Sequence, residues 1–181
     1  MAERELAPGE WAVLALLAER PAHGWALASE LSADGELGSV WSLGRPLVYR
    51  SLEILSDRGL IEAAGHERGA RGPSRTIYRT TCDGANALMQ WVAAPVEHVR
   101  DVRSQLLLKL VFAERIGLDV GPILASQHAT VVAALEDLEA RLVASSGSDA
   151  ILLRFRLEST RAVLRFVDGL LDERPALEAA V

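Results

Sequence analysis

Two short segments of alternating side chains, Leu60 to His66 and Arg75 to Thr81, constrain this chain more than any other feature. In the second, Thr76 and Tyr78 alternate with Ile77 and Arg79, the period of two that a half-buried strand requires. Between them, Glu67 to Ser74 is broken by glycine and proline, so the pair predicts a β-hairpin. The rest reads as helix and turn, apart from Val40 to Leu43 (VWSL), which is compatible with a short strand.

Three helices precede the hairpin. Glu10 to Glu19 places Trp11, Leu14 and Leu17 on one stripe, with Pro8 suited to the first turn and Arg20-Pro21 marking the end. His23 to Leu31 (HGWALASEL) reads as a second helix with Leu27 and Leu31 four apart, followed by the turn-rich Ser32 to Ser39. Arg45 to Asp57 reads as a third, with Pro46 in its first turn and Gly59 closing it. Val48, Leu52 and Leu55 form its core stripe, leaving Tyr49, Arg50, Glu53 and Asp57 on the outer side.

After the hairpin the pattern is helical throughout. Asp83 to Ala93 carries Leu88 and Trp91 and ends before Pro95. Gln105 to Ala113 (QLLLKLVFA) is apolar nearly all round, as a helix buried on several sides would be. Leu124, His128, Val131, Leu135, Leu138 and Leu142 alternate steps of four and three. Leu153, Leu157, Thr160, Leu164, Val167 and Leu171 repeat that spacing across the connector Ser145 to Asp149. Two coiled-coil-like helices joined by a short turn predict an antiparallel hairpin able to pack on itself or on a second subunit.

The expected fold is therefore mostly α with a small β-hairpin. Three helices and a hairpin is the order of a winged helix-turn-helix, expected over residues 1–94, with a helical dimerisation region over 95–181. In such a module the third helix enters a major groove and the hairpin lies along the backbone or the adjacent minor groove.

Charge distribution points the same way. From Arg45 to Thr81 there are seven arginines against four acids, a balance of +3 in a chain of −6, which leaves −9 elsewhere. A basic island in an acidic body suits a local anionic partner. The candidate DNA contacts are Ser42, Arg45, Tyr49 and Arg50 at the third helix, and Arg68, Arg71, Ser74 and Arg75 on the wing. Arginine bonds a guanine edge bidentately and tyrosine reaches a phosphate or a thymine methyl, whereas wing arginines neutralise phosphates without reading sequence. Arg79 points toward the body or solvent and is not among them. Read alone, an arginine cluster is most often a solvated loop, and the outer face of the third helix is equally an ordinary exposed face.

Other chemistries find little support. Cys82 is the only cysteine, so no intrachain disulfide and no thiolate cluster can form; it reads as a buried, inert thiol in preference to an oxidant-sensing thiol beside a helix start. His23, His66, His98 and His128 lack metal-site spacing; His23 reads as the start of the second helix and His128 as a core or interface histidine. No nucleophile–base pair is evident, so an enzyme is not expected, nor a metal or cofactor. The charged start and the absence of long apolar runs predict a cytoplasmic protein without membrane association.

Several segments in order resemble the PadR-like family of transcriptional regulators. Leu6 to Leu31 (LAPGEWAVLALLAERPAHGWALASEL) resembles that family's opening, in which an apolar helix leads through Pro-x-His-Gly-aromatic into the second. Leu47 to Glu62 (LVYRSLEILSDRGLIE) resembles its recognition helix and first wing strand. Gly72 to Leu88 (GPSRTIYRTTCDGANAL) and Gln105 to Ala113 resemble its later motifs, so the likeness runs from Leu6 to about Ala113. Ala7 stands where Ser or Thr often caps the first helix, Trp25 replaces the usual Tyr and so loses a hydroxyl able to contact phosphate, and Ser74 stands where another polar or basic wing residue is common.

The resemblance implies a homodimeric repressor on an inverted-repeat operator, released by a small phenolic or drug-like ligand. Trp91, on the helix leading out of the DNA module, is the candidate ligand contact, although aromatics at helical spacing usually serve the core. A winged-helix adaptor that binds protein and not DNA remains the alternative.

Overall fold

The computed structural model describes residues 4–68 and 74–178, with backbone alone for Arg68 and residues 174–178. The chain divides into two compact units, Met1–Trp91 and Val92–Val181.

In the first unit, α1 (Pro8–Glu19) is the central helix. Ala12, Val13, Leu14, Leu16 and Leu17 are all buried, so it is enclosed on every side and not along one stripe. Its cap, Ala7, offers no side-chain acceptor; instead the Glu10 carboxylate accepts the Ala7 N–H at 2.7 Å and binds Arg4 at 2.6 Å. After Pro21 come β1 (Ala22–His23) and α2 (Gly24–Glu30). His23 caps α2, its Nδ1 accepting the Ala26 N–H at 3.0 Å.

Residues 31–40 wind through successive turns, and Val40 to Leu43 forms no strand. That expectation is corrected: Leu43 donates its N–H to the Leu31 carbonyl at 2.7 Å, as an isolated link and not a ladder. The third strand is β1 instead. It lies across from Tyr78 and Ile77 of β3 (Ser74–Thr80), which pairs on its other side with β2 (Ile61–Arg68) in the order β1-β3-β2. All pairs are antiparallel, with a bulge between Ala63 and Gly65 on β2.

The third helix, α3 (Arg45–Asp57), buries Val48, Ser51, Leu52 and Leu55. It ends in a Schellman turn: Leu60 N–H reaches Leu55 O, Gly59 N–H reaches Ser56 O, and Gly59 adopts φ +68°. Thr81 joins this end to α4 (Cys82–Ala93). Its hydroxyl donates to Gly59 O at 2.8 Å and accepts the Gly84 N–H at 3.1 Å. Gly84 packs so closely that a Cβ there would lie 2.0 Å from Leu60 O. Cys82 is exposed at the first position of α4, correcting the buried thiol expected from sequence.

The second unit contains α5 (Val99–Asp101), a π-helical turn (Val102–Leu106), α6 (Leu107–Arg115), α7 (Gly121–Val143) and α8 (Gly147–Glu178). The expected helix at Gln105 thus begins in a π turn, and α8 starts inside the expected connector. Leu124 and Val131 of α7 pack with Val163 and Val167 of α8, while Leu138 packs with Leu153 and Leu157 beside the turn, as in an antiparallel hairpin. Gln127 is fully buried and pins the extended segment before α5, its amide bonding both the N–H and the C=O of Val96 at 2.7 and 2.9 Å.

Candidate nucleic-acid interface

The start of α3 is built against helix energetics. Arg45 occupies its first turn, no acid is present there, and Gly44 provides no side-chain cap. A cation at a helix N-terminus opposes the helix dipole, so stability of α3 does not explain Arg45. Pro46 fixes the backbone for the first turn while removing one N–H that would lack a helical partner.

Ser42, Leu43, Gly44 and Arg45 line an open cleft of about 510 Å³, whose other wall is Trp25, Ala28 and Ser29 of α2. The Arg75 guanidinium lies over the Trp25 ring, 5.6 Å from its centroid. Through Trp25, the start of α3 and the root of the wing therefore share one face. Tyr49, one turn further along α3, rests on α2: a Cβ on Gly24 would come within 2.8 Å of its ring. Beyond it the surface turns acidic, where Tyr49 borders a shallow cavity with Glu53, Asp57 and Tyr78.

The remaining candidates divide. Arg50 is exposed on α3, but five residues after Arg45 it is rotated by about 140° around the helix. The two therefore address different directions. Ser74 is exposed at the start of β3, directly across from Arg68. The Arg68 side chain and the whole of Arg71 lie outside the described residues. Trp91 is 6 % exposed and stacks on Trp11, centroids 4.9 Å apart and planes within 11°, so one face of its ring is covered.

The arginines differ in what they already bind. Among the described residues, Arg45 and Arg50 make no hydrogen bond or ion pair, and Arg75 engages only the Trp25 ring. Arg79 is paired, its guanidinium reaching Glu62 across the strands at 2.7 Å. Unengaged guanidinium donors are what a phosphate or a base edge needs. Sequence reasoning took Trp25 as a replacement for tyrosine that loses a hydroxyl able to contact phosphate, and missed its stacking with Arg75. The available signal was a tryptophan two residues after the helix-capping histidine, in a segment otherwise carrying its apolar side chains at Leu27 and Leu31.

The model of the transcriptional regulator PadR-like family matches residues 13–90, which contain α2, α3, the wing and most of α4. No curated protein matches the sequence. Among solved structures, PadR of Bacillus subtilis in complex with operator DNA is 22 % identical over 90 % of this chain and 97 % of its own, with a TM-score of 0.46. The same protein in complex with p-coumaric acid is 22 % identical, covering 94 % and 97 %, with a TM-score of 0.41. A Streptococcus mutans UA159 protein, smu.1604c, is 16 % identical, covering 91 % and 98 %, with a TM-score of 0.44. Among the described residues no helix is long and apolar enough to cross a membrane. Over residues 13–90, within its winged-helix unit, the chain is similar to the PadR-like family of transcriptional regulators.

Proposed function

We propose that this chain is a DNA-binding transcriptional regulator, a homodimeric repressor acting in the cytoplasm on an inverted-repeat operator and released by a small aromatic or drug-like molecule. Residues 1–94 bind DNA and residues 95–181 dimerise. The observation that carries the reading is the shared face of Ser42, Arg45, Trp25 and Arg75, on which Arg45 presents unengaged donors. Arg45 and Tyr49 read bases, while Arg68, Arg71, Ser74 and Arg75 grip the backbone, with Ser42 and Arg50 flanking the recognition helix.

Two-fold pairing doubles the few base contacts one winged helix can make and fixes the half-site spacing. A second apolar stripe on α8 supports such pairing. Ile151, Leu152, Phe155 and Phe166 are exposed, Phe155 at 72 %, and face away from the inward stripe through Leu153, Leu157 and Val167. For the effector, Trp91 is the candidate contact, and a ligand stacking there displaces Trp11 or uses the opposite ring face.

Footprinting on the DNA upstream of the gene tests operator, symmetry and spacing together. Two protected half-sites about one helical turn apart are expected, with a gel shift that weakens steeply as salt rises. Arg45→Ala combined with Arg71→Ala should remove most of that shift. An unchanged shift in the double variant overturns the site assignment, and no shift on any upstream fragment, with a heterologous protein co-purifying, favours the adaptor alternative.

A further inference from the structure

Three side-chain contacts and one strand pairing link four residues at the root of the wing. Arg75 lies over Trp25 at 5.6 Å, and His23 tilts against the same indole with ring centroids 6.2 Å apart. His23 Nε2 faces the Glu67 carboxylate at 3.6 Å, and Glu67 stands directly across the hairpin from Arg75. This chain of contacts joins the first turn of α2 to both wing strands. His23 is doubly engaged: its Nδ1 accepts the Ala26 N–H, leaving Nε2 to carry the proton toward Glu67.

Trp25 is 48 % exposed, an unusual place for the largest side chain. Its exposed surface is not idle, because the indole is the strongest cation–π partner among the aromatic side chains. An unsupported arginine on a wing loses several rotatable bonds of freedom when it grips a phosphate. Stacking on a fixed ring settles part of that loss beforehand and leaves the guanidinium edge, which carries the N–H donors, open.

We infer that Trp25 is the positioning residue of the wing, holding Arg75 by a cation–π contact in the pose that meets a DNA phosphate. The inference rests on the DNA-binding reading above. Trp25 acts through Arg75 and need not touch DNA.

The test has one arm without DNA and one with it, both on the full chain. In the free protein, the Arg75 δ-proton resonances, identified by their loss in Arg75→Ala, are displaced upfield by the indole ring current. Trp25→Leu abolishes the displacement and Trp25→Phe retains part of it. In the second arm, affinity for a duplex from upstream of the gene is measured across a salt series. Trp25→Leu is expected to weaken binding by roughly two- to fivefold per subunit. The slope of affinity against salt becomes shallower by about one phosphate per subunit, as it does for Arg75→Ala.

Trp25→Phe and Trp25→Tyr restore most of the affinity, because they restore an aromatic face. Trp25→Leu combined with Arg75→Ala binds no more weakly than Arg75→Ala alone. Additive losses in that double variant overturn the inference, because Trp25 would then act on DNA independently of Arg75. Equal binding by wild type and Trp25→Leu overturns it as well. If the wild type binds no duplex at low salt, the DNA-binding reading falls and takes this inference with it. DNA binding without dependence on Trp25 sinks the inference alone.

Discussion

The winged-helix unit and the helical hairpin unit hold themselves together by different means. In the first, joints depend on individual polar atoms and glycines: His23 capping α2, Gly59 ending α3, and Thr81 tying that end to the start of α4. In the second, α7 and α8 meet along repeated apolar stripes, where one leucine does much the same work as the next. Under the DNA-binding proposal, a surface that presents a few guanidinium groups in fixed directions needs backbone joints set by single atoms. A hairpin that only has to bury a seam tolerates repetition, and its second, exposed stripe on α8 is available for another surface.

The sharpest way to break this comparison is at Gly84. By helix propensity alone, Gly84→Ala in α4 should stabilise the protein by about 1 kcal/mol. The missing Cβ would, however, fall 2.0 Å from the Leu60 carbonyl oxygen, a backbone atom that cannot swing aside. The expected outcome is the opposite sign, a loss of about 3 kcal/mol in denaturant unfolding of the first unit. A gain in stability would show that the joint between β2 and α4 is loose, and the contrast between the units would lose its main example.

Gln127 tests the comparison from the other side, since it is a single-atom joint within the second unit. Gln127→Leu keeps the volume but strips both hydrogen bonds from the buried backbone of Val96. A loss of about 2 kcal/mol in unfolding free energy is expected, because a buried N–H and C=O are left without partners. If the variant is as stable as wild type, apolar seams alone hold the second unit.

These joints also mark where the sequence was legible. Helices of ten or more residues with a clear stripe, such as α3 with Val48, Leu52 and Leu55, declare themselves, because burial repeats every turn. The two long wing strands do so by alternation. Strand β1 did not: two residues after Pro21 are too few for any period, and they are strand only because Tyr78 and Ile77 lie beside them. Val40 to Leu43 shows the converse, an apolar run with strand-like composition but no edge to pair with. At the site, the arginines were visible as charge, whereas the role of Trp25 depends on a contact 50 residues away in sequence. The second stripe on α8 was hidden for another reason, since a helix apolar on two sides looks in sequence like one with a wider core face.

Phe155 probes that second stripe. At 72 % exposure it contributes little to the chain's own packing, so Phe155→Glu should change its unfolding free energy by less than about 0.5 kcal/mol. Under the dimer proposal it should nonetheless shift sedimentation toward the monomer. A variant that keeps the wild-type mass removes this stripe from the interface and leaves the hairpin with a single working seam.

The smallest expected effect separates two neighbouring arginines of β3. Arg79 and Arg75 lie four residues apart on the strand, so they share one side of the pleat, yet they have different partners. Arg79 bonds Glu62 directly opposite it, both groups exposed, and such cross-strand pairs contribute on the order of 0.5 kcal/mol. Arg79→Ala should cost about that much stability, less at high salt, and should leave the salt slope of DNA binding untouched. Arg75→Ala should do the reverse, with little change in stability and a shallower slope. Were Arg79→Ala to flatten the slope instead, the phosphate contact would belong to the ion-paired arginine, and the rule that only unengaged guanidinium groups serve the DNA face would be wrong for this protein.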